Sequence, residues 1–470
     1  MPQRRASMDD VSPQDRVLFL ATAALLTACF LTGGSSQDDN VGGVVTQLAA
    51  LPVLLLAVLH GSRQARFAGL ARALWLLAAI LALPLLQLLP LPQWLWAMPA
   101  PRAALLAHLV SAGIEHPDLR WTLSPAATER NLLSLLPAAA VFLAVLALGR
   151  DAARGFLWWL VGLATFSLLL ATLQLAVPQD SFLNPFPQYA PAMAGVFANK
   201  NHQADMLAIA IAVAVGLFLD ARRRGEGLAA GLAIVLAGLC FLVLPLVNSR
   251  AGVIIALVAV AAVMLGSAAV SLQRLRQQQA PRWVLALTLA MLAVGVLAAM
   301  AWMDADDVGM PGSRARMSAL TLGFGLDNAP LGAGFGSFVP LFQQSAGEAM
   351  LFHAYINAAH NDYVQWWLEG GVPAMALLLG VLLLLGGAFG RLLRLPLESR
   401  RRADGLAALA GVLVVFLHST VDYPLRTPAL MAVFAVLAGV ALACARDADA
   451  TRAEAGNARN RSAAHLPAPR

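Results

Sequence analysis

Ala359-His360-Asn361-Asp362-Tyr363, followed by Glu369-Gly370-Gly371-Val372, closes the one long polar stretch of an otherwise apolar chain. The stretch opens at Asp304 and carries Ser313-Arg314-Ala315-Arg316 and Pro330-Leu331-Gly332-Ala333-Gly334-Phe335-Gly336 on its way. Hydrocarbon tolerates irregular backbone only where protein or water satisfies its polar groups. Residues 304–371 therefore read as a large loop held outside a bilayer, and the chain on either side reads as membrane.

Composition supports that division. Of 470 residues, 59% are hydrophobic and 12% charged, and mean hydropathy is +0.71. A soluble chain of this length does not have that balance. Windows of about 20 apolar residues, the length that crosses a bilayer, number about twelve. They fall near 16–33, 41–60, 70–90, 131–149, 156–177, 202–220, 228–247, 251–272, 283–303, 372–390, 405–421 and 428–445. The expectation is an all-α polytopic membrane protein, a single membrane domain over 1–445 with its large outer loop between spans 9 and 10. The run Val17–Thr32 reads as a retained span, not a cleaved leader. Residues 446–470, rich in Ala and Arg without apolar period, read as a disordered tail.

The 32 Lys+Arg residues, all arginine except Lys200, set the orientation. With the N-terminus in the cytoplasm, 24 fall on the cytoplasmic side and 8 on the other. The positive-inside rule accounts for that bias. It also removes the nucleic-acid reading that a pI near 9.9 invites. The expected location is a bacterial inner membrane, with both termini cytoplasmic and the large loop periplasmic. Cys29, Cys240 and Cys444 lie in apolar runs and form neither a disulfide framework nor a metal spacing.

The outer ends of the spans hold the residues able to do chemistry. His360 sits where the long loop re-enters the membrane; imidazole can take a proton from a hydroxyl, or simply bond a loop carbonyl. His353 is its rival. Arg250 lies in the tightest outer turn, Asn248-Ser249-Arg250-Ala251-Gly252, after a helix that Pro245 should end early. An arginine so near hydrocarbon is paired, snorkelling or functional. Free amides at the next helix start could join it in holding phosphate. Arg314 and Arg316 read as anion ligands or solvated charges. Lys200, between Asn199 and Asn201, stands at the mouth of a span, where the two amides suit sugar hydroxyls or helix capping. Gly332, Gly334 and Gly336 follow no strand and read as a turn, not a nucleotide loop. Asp38, Asp39, Asp304, Asp306 and Asp307 do not make a convincing ligand set for a hard cation. Trp94, Trp96 and Trp121 in the second outer loop suit an interface belt, and that loop suits a short helix lying on the membrane.

Together these stretches resemble the O-antigen ligase and O-antigen polymerase superfamily. The likeness covers about residues 40–445 and rests on Phe197–His202, Ser249-Arg250-Ala251-Gly252, Pro330-Leu331-Gly332 and His360–Tyr363 through Gly371. The resemblance implies a metal-independent glycosyltransferase without cofactor. Such an enzyme takes a glycan from undecaprenyl pyrophosphate and passes it to the hydroxyl of a glycolipid or glycan acceptor. It implies His360 as base or acceptor-orienting residue and Arg250 as pyrophosphate ligand. Arg314 or Arg316 would match the arginine that opens the long loop, and Lys200 joins this donor set. The aromatic residue that the family often places after that arginine is absent; Met317-Ser318-Ala319 stand there. Asn199, Asn201, Asn361 and Asp362 are the expected glycan or acceptor contacts. Ligation to lipid A core, polymerisation of lipid-linked repeats and protein glycosylation share these motifs. The reading from another class is a transporter of the lipid-linked glycan. It would place ionisable residues deep in the spans, whereas the candidates here gather at the outer ends and deep polar residues are few, His418 and, near a span end, Asp205.

Overall fold

The computed structural model describes residues 12–36, 41–114, 116–187, 193–268, 314–345 and 356–446. His353, the acids at 38–39 and 304–307, the span expected near 283–303 and the tail beyond Arg446 lie outside these residues. The described chain is helical, without a named strand; Pro90 and Arg120 form an isolated β-bridge. Its helices are α1 (Pro13–Thr32), α2 (Val41–Arg63), α3 (Ala71–Gln87), α4 (Gln93–Trp96), α5 (Ala100–Ser111), α6 (Pro125–Leu148), α7 (Arg150–Gln174) and α8 (Lys200–Arg223). There follow α9 (Gly227–Val243), α10 (Arg250–Ala268), α11 (Arg314–Asp327), α12 (Phe338–Ser345), α13 (Asp362–Leu393), α14 (Arg400–His418) and α15 (Pro428–Ala445).

Nine helices among the described residues are long and apolar enough to cross a membrane. Two further expected spans correspond to α3, which is shorter, and to α14, whose first turn is charged. The fold is thus an all-α membrane-embedded bundle.

Its axis is made by α8 and α15, both buried over most of their length. Small side chains make that possible. Gly216 of α8 lies so close to α14 that an added Cβ would stand 2.6 Å from the Cβ of Ala407. A Cβ on Gly411 of α14 would come within 2.8 Å of Leu437 of α15. Without a hydrophobic driving force between helices in lipid, such close backbone approach supplies the packing attraction. The apolar core then runs continuously from Leu18 of α1 through α8 and α14 to Ala445.

One end of the bundle is tied by ions. Arg154 of α7 bonds Asp220 of α8 and Asp404 of α14, each at 2.6 Å. Arg224 reaches Asp220 at 3.1 Å, Arg400 pairs with Glu226, and Arg402 caps the carbonyls of Leu393, Leu395 and Gly266. The α8 and α14 helices run from this pair of ends in opposite senses, so Asp205 and His418 meet at the other end.

That other end carries the loops. The long loop is more than irregular chain: α11, α12 and the first turns of α13 enclose a small core of Met317, Ala333, Phe338, Phe342, Ala359 and Leu368. The sequence places the final helix of this region near residue 372, but α13 begins at Asp362 and bends at Gly371, whose φ of +56° suits glycine. The turn 330–336 docks into that bend. Val372 donates to the carbonyl of Pro330, and Ala333 and Gly334 donate to those of Leu368 and Glu369. Gly332, Gly334 and Gly336 all have positive φ, as the turn reading requires.

The second outer loop folds onto the same turn. It contains α5, the short helix anticipated there, but only Trp94 of its tryptophans is largely exposed. Trp96 is buried and donates to the carbonyl of Arg120, and Trp121 donates to that of Leu331. These two rings serve as loop ties, not as a belt. Arg102 is buried under them, donating to the carbonyls of Trp121 and Gly332 while its guanidinium lies 5.5 Å over the Trp96 ring. Burial lowers its pKa to about 10.

Candidate functional site

Asp422 lies in the short connection between α14 and α15 and has no exposed surface. A carboxylate so placed must be paired and hydrogen-bonded to stay ionised. Its partners come from four segments. From the start of α8, the Asn201 amide donates to Oδ2 at 2.5 Å and the Asn199 amide lies at 3.4 Å. The His202 Nε2 stands 4.0 Å from Oδ1. From the long loop come His360, with Nδ1 3.3 Å from Oδ1, and Arg314, with a guanidinium nitrogen 3.8 Å from Oδ2. Arg314 also donates to the carbonyl of Val421. The backbone of Tyr423 donates to Oδ1 at 2.9 Å.

Burial alone would raise the Asp422 pKa, but the pairing with His360 and the nearby His202 and Arg314 outweigh it and hold the carboxyl well below its ordinary value. The Tyr423 hydroxyl moves the other way, to about 12, through burial and then the Asp422 charge beside it. Its ring stands edge-on to both imidazoles, 5.0 Å from His202 and 4.8 Å from His360.

Arg314 is the most exposed member of the group, and His360 is partly exposed, with 22% of its side chain open. Its φ of +52° is unusual for a residue with a Cβ. Asn361 follows in extended conformation and caps α13, accepting from the amides of Tyr363 and Val364, while its own amide donates to the carbonyl of Thr420. The turn thus presents His360 at the mouth and anchors it to the connection that carries Asp422.

Asp362 is fully buried. It accepts from the Ser419 hydroxyl at 2.9 Å and the Leu425 amide at 3.3 Å. Arg426 stands beside it and bonds Glu369 at 2.7 Å. Asn199 caps α8, accepting from the Asn201 amide, and Lys200 is half-buried in the first turn. Thus Asn361 and Asp362 make architectural contacts, Asn201 belongs to the Asp422 cluster, and Asn199 serves both.

The Arg250 turn reaches the same end of the bundle. The α9 helix stops at Val243, Leu244–Val247 form a 3-10 turn, and Asn248 takes a left-handed conformation. Pro245 sits in that turn, where the sequence placed the break. Gly252, two residues into α10 from Arg250, packs against Ala204, so close that a Cβ would lie 2.6 Å away. Arg250 therefore opens its helix beside the first turns of α8 that supply Asn201 and His202. The first outer loop joins from the other side: Ala198 donates to the carbonyl of Gly34, and Asn357 donates to the Ser36 hydroxyl. Arg316 lies on α11, two residues beyond Arg314.

Below the mouth, His418 and Asp205 form a wholly buried pair. To one side, a cavity of about 260 Å³ lies among α3, α6, α13 and α15. Leu77, Phe142, Leu378 and Met431 are among its walls, and Asn131 and Arg426 are the polar residues on it.

Asp422, the residue on which the cluster converges, is absent from the candidates that the sequence suggests. The signal was available: an acid in a turn between two spans is as costly near hydrocarbon as Arg250 is. Chemically, the arrangement joins a partly exposed imidazole to a buried carboxylate within a rim of arginine, amide and hydroxyl groups. Such a site can accept a proton from a hydroxyl and place cations near an anion. Compared with known proteins, the chain matches no family model and no curated protein.

Proposed function

We propose that this membrane protein is a glycosyltransferase of the O-antigen ligase or polymerase type. It would move a glycan from undecaprenyl pyrophosphate to a hydroxyl of a glycolipid or glycan acceptor at the outer face of a bacterial inner membrane. The observation that supports this best is the His360–Asp422 pair at the mouth, with Arg314 on the same carboxylate and Arg250 on the neighbouring turn. In this reading the bundle has about twelve spans, the length rule setting each, with both termini cytoplasmic.

The proposed chemistry uses these groups as follows. In this reading the Asp422 carboxylate, 3.3 Å from Nδ1 of His360, favours the tautomer with its hydrogen on Nδ1 and leaves Nε2 to take a proton from the acceptor hydroxyl. The acceptor oxygen bonds the anomeric carbon as the carbon–oxygen bond to pyrophosphate breaks, and a single displacement inverts that carbon. The leaving pyrophosphate gathers charge, which preplaced guanidinium groups stabilise. Arg250 is assigned to it first, with Arg314, Arg316 and Lys200 around the rim. The charge is neutralised by these cations without a metal or cofactor. The apolar cavity offers room for part of a lipid chain.

The buried His418–Asp205 pair favours a second reading, transport of the lipid-linked glycan coupled to a proton. Purified protein supplied with lipid-linked glycan and acceptor separates the two. Formation of a new glycosidic bond supports the transferase, whereas movement of intact donor across a vesicle membrane without bond formation supports the transporter.

A further inference from the structure

We propose that the apolar cavity among α3, α6, α13 and α15 binds one acyl chain of a membrane glycerolipid, at a site separate from the Asp422 cluster. None of His360, Asp422, Arg314 and Arg250 is on its wall. The polar groups on the wall gather at one end. Asn131 is in the second turn of α6, Trp366 is in the second turn of α13, and Arg426 stands just before α15. All three are at the ends of the helices that carry the outer loops, and Phe335 of the glycine turn joins them. From there the described wall is apolar, over residues 374–385 of α13 and 431–442 of α15. Little of the apolar part of α13 is buried, in contrast to α8 and α15. An apolar cavity of this kind does not hold water, and the bilayer around α13 supplies hydrocarbon.

Length and charge select the occupant. At a rise of about 1.5 Å per residue, each of those two stretches runs about 16 Å. That is close to half of a hydrocarbon core roughly 30 Å thick, the depth of one acyl chain from one leaflet. A long polyisoprenoid would not fit within it. The polar end is not a cationic site either. Arg426 stands 2.7 Å from Glu369 and 3.5 Å from Asp362, and both carboxylates are buried. A pyrophosphate placed there would face two acids whose charge one guanidinium already has to balance. The uncharged ester oxygens of a glycerolipid can instead accept from the Asn131 amide and the Trp366 indole N–H, while the headgroup stays at the interface. Phe335 and Trp366 belong to the glycine turn and to the start of α13, so a chain packed beneath them supports the docking of the long loop.

The test is photo-crosslinking of the full-length protein in vesicles of phosphatidylcholine that carries a diazirine in one acyl chain, with the labelled residues mapped by mass spectrometry. Bulk lipid should label the exposed face of α13, at Leu379 and Leu383. A bound chain should also label Phe142, Leu378 and Phe434 on the cavity wall. Ala435→Trp fills the cavity and should lower wall labelling about tenfold or more, the loss expected when two or more methylenes can no longer be buried. Labelling of Leu383 should stay unchanged. Should Ala435→Trp fail to fold, Ala138→Leu carries the same expectation. Competition needs no variant: excess unlabelled phosphatidylcholine should displace wall labelling, and undecaprenyl phosphate should do so less readily. An unlabelled wall, equal wall labelling in a filled variant, or readier displacement by undecaprenyl phosphate overturns the proposal. The experiment uses no glycan and no acceptor. A protein whose wall labels as expected but which transfers nothing refutes the transferase reading alone, and one that transfers with an unlabelled wall refutes this inference alone.

Discussion

The Nδ1 of His360, at the end of the long outer loop, stands 3.3 Å from Oδ1 of Asp422, in the last outer connection. That contact sets a partly exposed imidazole beside a wholly buried carboxylate. If the proposed chemistry holds, Asp422→Asn should lower single-turnover transfer by about 10²-fold or more, because orientation and charge are both lost. Donor affinity should stay within a few-fold of the unaltered protein. Transfer at the unaltered rate would show that His360 works without its carboxylate.

The same carboxylate links acid stability to the site. Its pKa in the folded protein is held below the ordinary value, so the unfolded chain binds the proton more readily. Its stabilising contribution is complete above the ordinary carboxylate pKa and is lost as pH falls from there towards the folded value. Unfolding in detergent should therefore become easier as pH drops from about 5 to 3. That dependence should be weaker in Asp422→Asn. Equal pH dependence in both proteins would contradict the pairing.

The two arginine clusters should fail differently. Arg250→Lys replaces a forked guanidinium by a point charge and should retain some donor binding while losing rate; Arg250→Ala should lose both. Arg314→Ala should cost more transfer than Arg316→Ala, since Arg314 also faces Asp422. Arg154→Met, at the opposite end, strands the buried Asp404 and leaves the buried Asp220 only Arg224. It should cost roughly 3–5 kcal/mol of stability, the range for breaking a buried pair. Thermal unfolding and donor-binding measurements on the same variants separate the two kinds of loss.

Much of this was legible in the sequence, for identifiable reasons. Apolar run length located the helices, and Pro245 located the end of α9, because both are local properties. His360 and Arg250 stood out as polar groups at span ends, and Arg314 and Arg316 as an undivided pair near the start of the long loop. The internal order of the long loop was not legible. Its core of Met317, Phe338, Phe342 and Leu368 is assembled from short segments with no shared period. Asp422 had a local signal, an acid between two spans, but its partners from the start of α8 and from the long loop had none, because no local pattern reports such a meeting. Trp96 and Trp121 were read by residue type as interface residues, but the carbonyls of Arg120 and Leu331 claim their N–H groups.

The docking of the glycine turn gives a structural prediction. A Cβ at Gly371 would lie 2.2 Å from the carbonyl oxygen of Pro330, and φ there is +56°. Gly371→Ala should destabilise the protein by about 1–3 kcal/mol through strain and displacement of the turn. Gly386, beside which a Cβ meets nothing within 4 Å, is the control. Its change to alanine should leave thermal unfolding nearly unchanged.

The most direct test of the central claim is single-turnover transfer by purified protein supplied with an undecaprenyl-pyrophosphate-linked glycan and a hydroxyl acceptor, in the presence of a strong chelator. The account predicts a new glycosidic bond with inverted anomeric configuration. It predicts a loss of about 10²–10⁴-fold in His360→Ala, the usual worth of a general base, with donor binding retained. Transfer by folded His360→Ala at the unaltered rate would contradict it.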